Sequence, residues 1–157
     1  VLVCDDDLVY PPDYVARTEA AFLEAEKQYK DVCVSWTGFV GDTYVQWDDV
    51  REAADRCEIL GVGTSVLRLR TLRRLIDPSV LGLLQTSVLR PRVELAFSAS
   101  AYARGTALVR PAGVSGVAAL PCSKSRQSLW WQKGPTFISA LKARGWPGPH
   151  EKWSALW

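Results

Sequence analysis

Three carboxylates stand side by side at Asp5, Asp6 and Asp7, directly behind the apolar run "VLVC". Neighbouring like charges repel by roughly 1 kcal/mol per close pair in water, and more when partly buried. A solvated helix face dilutes that cost, whereas a strand tip does not. If the strand runs on through Asp7, its period of two puts Asp5 and Asp7 on one side and Asp6 on the other. Two carboxylates so placed suit a hard divalent cation, Mg2+ or Mn2+, which takes oxygen ligands and keeps positions open for substrate phosphates. The plainer reading is an acidic loop ahead of a helix, for which Asp13 is already a good N-cap.

The elements that must position these residues alternate in type. Val1–Cys4 reads as a strand buried on both faces. Pro11-Pro12-Asp13 opens a helix over 14–30, whose apolar face is Val15, Thr18, Phe22, Ala25 and Tyr29. "DVCVSW" is a second strand, 37–43 is turn-rich, and "TYVQW" is a further strand candidate. "CEILGVGTSVLRLR" is apolar but broken by Gly61 and Gly63, which marks a backbone that bends or approaches something closely. "TLRRLID" is a short helix ended by Pro78, and 92–104 is a helix capped by Gly105. "ALVR" is a strand, "GVSGVAALPCSKSRQS" a loop, and "PTFISALKARGW" a last helix closed by Gly145. Strands alternating with helices predict an α/β layer structure.

Composition narrows the class without naming it. The 157 residues form one domain of ordinary globular make-up, 48% hydrophobic and 23% charged. A net charge of +2 gives no reason to expect nucleic acid as a partner. No apolar run approaches the ~20 residues of a membrane span. The four cysteines, Cys4, Cys33, Cys57 and Cys122, form no C-x-x-C pair, so a zinc ribbon is not expected. Cys4 and Cys33 sit in apolar runs and read as small core residues. The chain has no methionine and starts inside a hydrophobic run, so we expect a piece of a longer polypeptide.

Three kinds of protein carry such an acidic strand tip. A receiver domain also needs a later phosphorylatable Asp and a Lys-Pro, which have no plausible counterparts here. A haloacid-dehalogenase-type phosphohydrolase carries D-x-D-x-[TV], and "DDDLV" satisfies it, with Asp5 as nucleophile and Asp7 as acid. Ser35 would then follow a second strand, but "GDTYVQWDD" brings the next acidic residues too soon after it. The third kind is the metal-dependent glycosyltransferase of the GT-A fold.

The chain resembles this third group most. "VLVCDDDLVYPPDYV" looks like the nucleotide-sugar glycosyltransferases (family 2-like) in which an apolar strand runs into D-D-D-x-x-Y-P-P. "ILGVGTSVLRL" is similar to their glycine-bearing segment, "VELAFSASAYARG" to their helix ending in Arg-Arg-Gly, and "SRQSLWWQKGPTFISALKARGW" to their Q-x-x-L-W stretch and last helix. The order is the same from Val1 to about Trp146. Two departures stand out. Val93-Glu94 replaces the group's Asp-Asp pair, and Gln132 to Thr136 stand where it carries an Asn-Asp.

The resemblance implies a partial GT-A fold, a mixed sheet flanked by helices with its N-terminal nucleotide-binding part missing. Residues 1–157 would be the metal and acceptor side, and the fragment alone need not be active. It further implies an inverting transfer from a nucleoside diphosphate sugar to a hydroxyl of a glycan, lipid or protein. Asp5 and Asp7 would hold Mn2+ or Mg2+ with the diphosphate, and His150 is a candidate third ligand. Asp5 and Asp6 would also contact the donor, and Gly61 and Gly63 would let backbone approach the sugar or acceptor. Glu94 matches the position of the base that takes the acceptor proton. Trp130 and Trp131 offer indole faces for a sugar ring. The full-length protein would work in the cytoplasm or, membrane-associated, in the Golgi lumen. The remaining alternatives are the phosphohydrolase and a non-catalytic receiver-like or binding module.

Overall fold

The structure, a computed structural model, describes residues 1–40, 43–45, 54–57, 59–76 and 93–121. Cys122, Trp130, Trp131, Gln132 to Thr136, His150 and the expected last helix lie outside the described residues.

The centre is a mixed five-stranded sheet. Its strands are β1 (Leu2–Cys4), β8 (Thr64–Leu67), β3 (Val32–Ser35), β9 (Ala107–Arg110) and β6 (Asp55–Arg56), in that spatial order. β8 is antiparallel to both β1 and β3, while β3 and β9 are parallel, so β1, β3 and β9 all run the same way. Two small ribbons sit beside it. β4 (Gly38–Val40) joins β5 (Thr43–Val45) and β7 (Ile59–Leu60), and β2 (Leu8–Val9) pairs with β10 (Ala118–Ala119).

Strand periodicity explains why both faces carry helices. On β3 and β9, Cys33 and Leu108 point to one face and Val32, Val34, Ala107 and Val109 to the other. The second set packs on Phe22 and Ala25 of α1 (Tyr14–Gln28). The first packs on Leu75 of α2 (Leu69–Leu75) and on Phe97 and Ala101 of α3 (Val93–Ala103). Strands covered on both faces read as unbroken apolar runs, which is why "DVCVS" and "ALVR" are legible. A third cluster, Tyr14, Trp36 and Val117, closes the space under Leu2, Leu8 and Tyr10.

Several sequence expectations are corrected. Among the described residues β1 lies at the edge of the sheet, half-buried rather than buried on both faces, and Cys4 at its end is exposed. Cys33 is the buried thiol, and burial pushes its ionisation upward. On α1 the inward set is Tyr14, Thr18, Phe22 and Ala25; Val15 is 61% exposed. Asp13 makes no side-chain cap bond; its carbonyl accepts the Arg17 N–H at 3.0 Å, and its carboxylate pairs with the Arg17 guanidinium at 3.8 Å. The turn-rich 37–43 stretch contains β4, and the loop after Gly113 contains β10. Gly105 does end α3 as expected, with φ +67°.

Candidate functional site

Parallel β1, β3 and β9 put their C-terminal ends at one edge of the sheet, and the acidic turn sits there. β1 stops at Cys4, so Asp5 to Asp7 form the connection to β2 rather than an extension of the strand. The strand alternation expected for Asp5 and Asp7 therefore does not apply. Asp5 and Asp6 are exposed and Asp7 is half-buried. The Asp7 carbonyl accepts the Leu120 N–H at 2.9 Å, tying the turn to the β2–β10 ribbon.

Asp5 is held by Tyr10, five residues on, and by Gly63 from a distant part of the chain. Its N–H donates to the Tyr10 hydroxyl at 2.7 Å, and that hydroxyl donates to the Gly63 carbonyl at 2.7 Å. Tyr10 thus closes the open end of the β1–β8 ladder. Burial pushes the Tyr10 phenol up, against the lowering effect of its bond to the Asp5 backbone. Gly63 lies directly against the Asp5 carboxylate, and an added Cβ would overlap it, standing 2.6 Å from Oδ1.

Below this contact three buried hydroxyls lace β3 to the start of β8. Ser35 Oγ donates to the Gly61 carbonyl at 2.7 Å and accepts from Thr64 Oγ1 at 2.7 Å. Thr64 Oγ1 is 2.8 Å from Thr37 Oγ1, and the Gly61 N–H donates to the Thr37 carbonyl at 2.9 Å. A Cβ at Gly61 would overlap Thr37 Oγ1 and stand 3.2 Å from its carbonyl. Neither Gly61 nor Gly63 has a positive φ. Both are required by space, as the sequence suggested, and not by a left-handed turn.

Glu94 stands in the first turn of α3, half-buried. α3 leads into β9 and packs on it, so its N-terminal end faces the same edge of the sheet as the acidic turn. Ser98, one turn on, accepts the Leu60 N–H at 3.0 Å and fixes α3 against the strand that enters Gly61. The tertiary fold therefore brings Asp5, Asp7, Gly61, Gly63 and Glu94 to one end of the sheet. Among the described residues, no three His, Cys, Asp or Glu side chains are grouped as a metal-binding cluster.

Sequence reasoning missed two participants. Tyr10 was legible only as part of the Y-P-P run, with no hint that its hydroxyl reaches Gly63. Arg110 ends β9 at this same edge, is 1% exposed, and donates through Nε to the Trp36 carbonyl at 3.4 Å. Its one signal was a cation closing the apolar run "ALVR" just before Pro111.

Fold and site together define a small mixed α/β domain with an acidic turn at the C-terminal edge of its sheet. No family model matches the chain, and no curated protein is significantly similar to it. No helix among the described residues is long and apolar enough to cross a membrane.

Proposed function

We propose that the chain is the metal and acceptor side of a GT-A glycosyltransferase, transferring a sugar from a nucleoside diphosphate sugar to a hydroxyl acceptor. One observation carries this reading. The two stretches that look most like that group, Val1 to Val15 and Ile59 to Leu69, meet at Asp5 and Gly63, and Tyr10 bonds both. The contact gives a physical reason for the tyrosine and the glycine in a pattern otherwise recognised by spelling. The antiparallel pairing of β1 with β8 also differs from the parallel doubly wound sheet of receiver domains.

The residues suit a hard cation. Asp5 and Asp7 supply oxygen donors beside open solvent, and phosphate oxygens and water would complete the shell. A bound Mn2+ or Mg2+ would offset charge on a departing diphosphate. The protein's own part is to aim the carboxylates: Tyr10 and Gly63 fix the Asp5 backbone, and the β2–β10 ribbon holds Asp7. Glu94 would take the acceptor proton in this reading. In this reading the base-gripping part that such enzymes carry ahead of the acidic motif would lie beside β1. The outer edge of β1 pairs with no other strand among the described residues.

The test is calorimetric titration of the full chain with nucleoside diphosphate sugars, with and without Mn2+. Metal-dependent binding that Asp7→Asn weakens at least tenfold, about 1.4 kcal/mol, is the expected outcome. Binding indifferent to both metal and substitution refutes the assignment. A beryllium fluoride adduct on the Asp5 carboxylate, the analogue of a phosphoaspartate, would point to the phosphohydrolase instead.

A further inference from the structure

The opposite edge of the sheet carries a second, unrelated feature. Where β3 and β9 begin, a cavity of ≈ 570 Å³ opens between α1, α2 and α3. Lys30, Arg56, Arg70, Arg74 and Arg104 line it, and Asp31 is the one carboxylate among the described lining residues. These cations come from separate elements: the α1–β3 connection, β6, one face of α2 (Arg70 and Arg74, four apart) and the end of α3. Only tertiary folding gathers them.

Asp31 does not neutralise the group. Its carboxylate pairs with Arg74, accepts from Thr71 Oγ1 at 2.5 Å, and accepts from Thr106 Oγ1 at 2.6 Å. Those bonds use Asp31 to fix the floor of the cavity and to orient one arginine. Arg104 Nη1 donates to Ser100 Oγ at 3.0 Å, and the Arg56 guanidinium lies 6.0 Å from the Tyr29 ring centre. Lys30 and Arg70 make no side-chain hydrogen bond or ion pair with another described residue. Holding so many like charges around one concavity is unfavourable without a counter-anion, and the guanidinium fork matches phosphate oxygens. The concavity is broad and open to solvent, which leaves room for a multiply charged anion to reach the guanidinium groups.

We propose that this cavity binds a small anion bearing two or more phosphate groups, at a site distinct from the acidic turn. Lys30 and Arg70 supply the exposed charges that meet it, while Arg74, steadied by Asp31, lines the floor. The phosphates belong either to a soluble ester or to a lipid headgroup. Leu69 and Ile76, at the two ends of α2, are 49% and 43% exposed and offer apolar side chains of the kind a bilayer contact uses.

The experiment titrates the full chain, in metal-free buffer, with inorganic tripolyphosphate, following heat and thermal midpoint. In parallel, the chain is sedimented with phosphatidylcholine vesicles, with and without phosphatidylinositol bisphosphate. Saturable binding that weakens as salt rises is expected, and Lys30→Gln with Arg70→Gln should reduce it at least tenfold. The charge-keeping pair Lys30→Arg with Arg70→Lys should retain it. So should Lys27→Gln with Arg73→Gln, which removes equal charge outside the cavity. Tripolyphosphate binding without sedimentation assigns a soluble ligand, and sedimentation only with bisphosphate vesicles assigns a headgroup. Binding of neither probe, or equal losses in the two charge-removing pairs, overturns the proposal. Metal-free buffer keeps the outcome separate from that of the acidic turn.

Discussion

Gly61 and Gly63 are two residues apart and look interchangeable, yet their neighbours give them different tasks. Gly63 faces the exposed carboxylate of Asp5, whereas Gly61 faces Thr37, which is locked into buried hydroxyls. Gly63→Ala should therefore leave the fold nearly as stable, within about 0.5 kcal/mol, while displacing Asp5 and lowering metal-dependent donor binding. Gly61→Ala should destabilise by about 1–3 kcal/mol through overpacking. Paired denaturant titrations and binding isotherms check both, and equal stability losses would contradict the distinction. Tyr10 offers a pH test. Its folded phenol is raised above the ordinary value of 10.0 by burial. The neutral form is the favoured one, so its contribution is intact below about pH 10 and is lost as pH rises toward the folded value. The stability advantage of wild type over Tyr10→Phe should thus hold below about pH 10 and narrow progressively above it, measured by urea unfolding at each pH. A constant advantage would mean that the phenol is not perturbed.

At the scale of elements, α1 shows where periodicity alone misleads. Val15 and Phe22 lie one heptad apart and both belong to the stripe read from the sequence. The helix is rotated so that Tyr14 faces Trp36 and Val117, leaving Val15 61% exposed while Phe22 is 5% exposed. Phe22→Ala should cost about 3–5 kcal/mol, and Val15→Ala should stay within about 0.5 kcal/mol. Chemical unfolding of the two variants decides it. β3 and β9 were legible because both their faces are covered, giving the continuous runs "VCVS" and "ALVR". β4 and β10 were not, since strands of two or three residues make too few alternations to register, and pairing partners far along the chain define them. β1 was legible as a strand but not as an edge, because edge or centre depends on which other strands arrive beside it.

The whole molecule is a sheet with chemically opposite ends. The C-terminal edge carries Asp5 to Asp7 and the start of α3; the N-terminal edge carries the basic cavity. Four-residue strands at about 3.3 Å per residue keep the two roughly 13 Å apart. This polarity bears on Glu94, whose proposed role requires the N-terminus of α3 to face the acidic turn. Glu94→Gln in the full chain should leave donor binding unchanged and lower transfer at least a hundredfold. Unchanged transfer to acceptor would make Glu94 an ordinary first-turn glutamate favoured by the helix dipole.

By itself the sequence determined the local quantities: an acidic run directly behind an apolar one, glycines where backbone must come close, and a helix ended by Gly105. Each follows from nearest-neighbour sterics or short-period burial, which a linear reading carries. Only the tertiary structure decided that Gly63 makes room for Asp5, that the Tyr10 hydroxyl joins them, and that β1 lies at an edge. It also decided that scattered basic residues converge on a single cavity. Those are contacts between residues tens of positions apart, set by how two covered faces and a mixed strand order pack together.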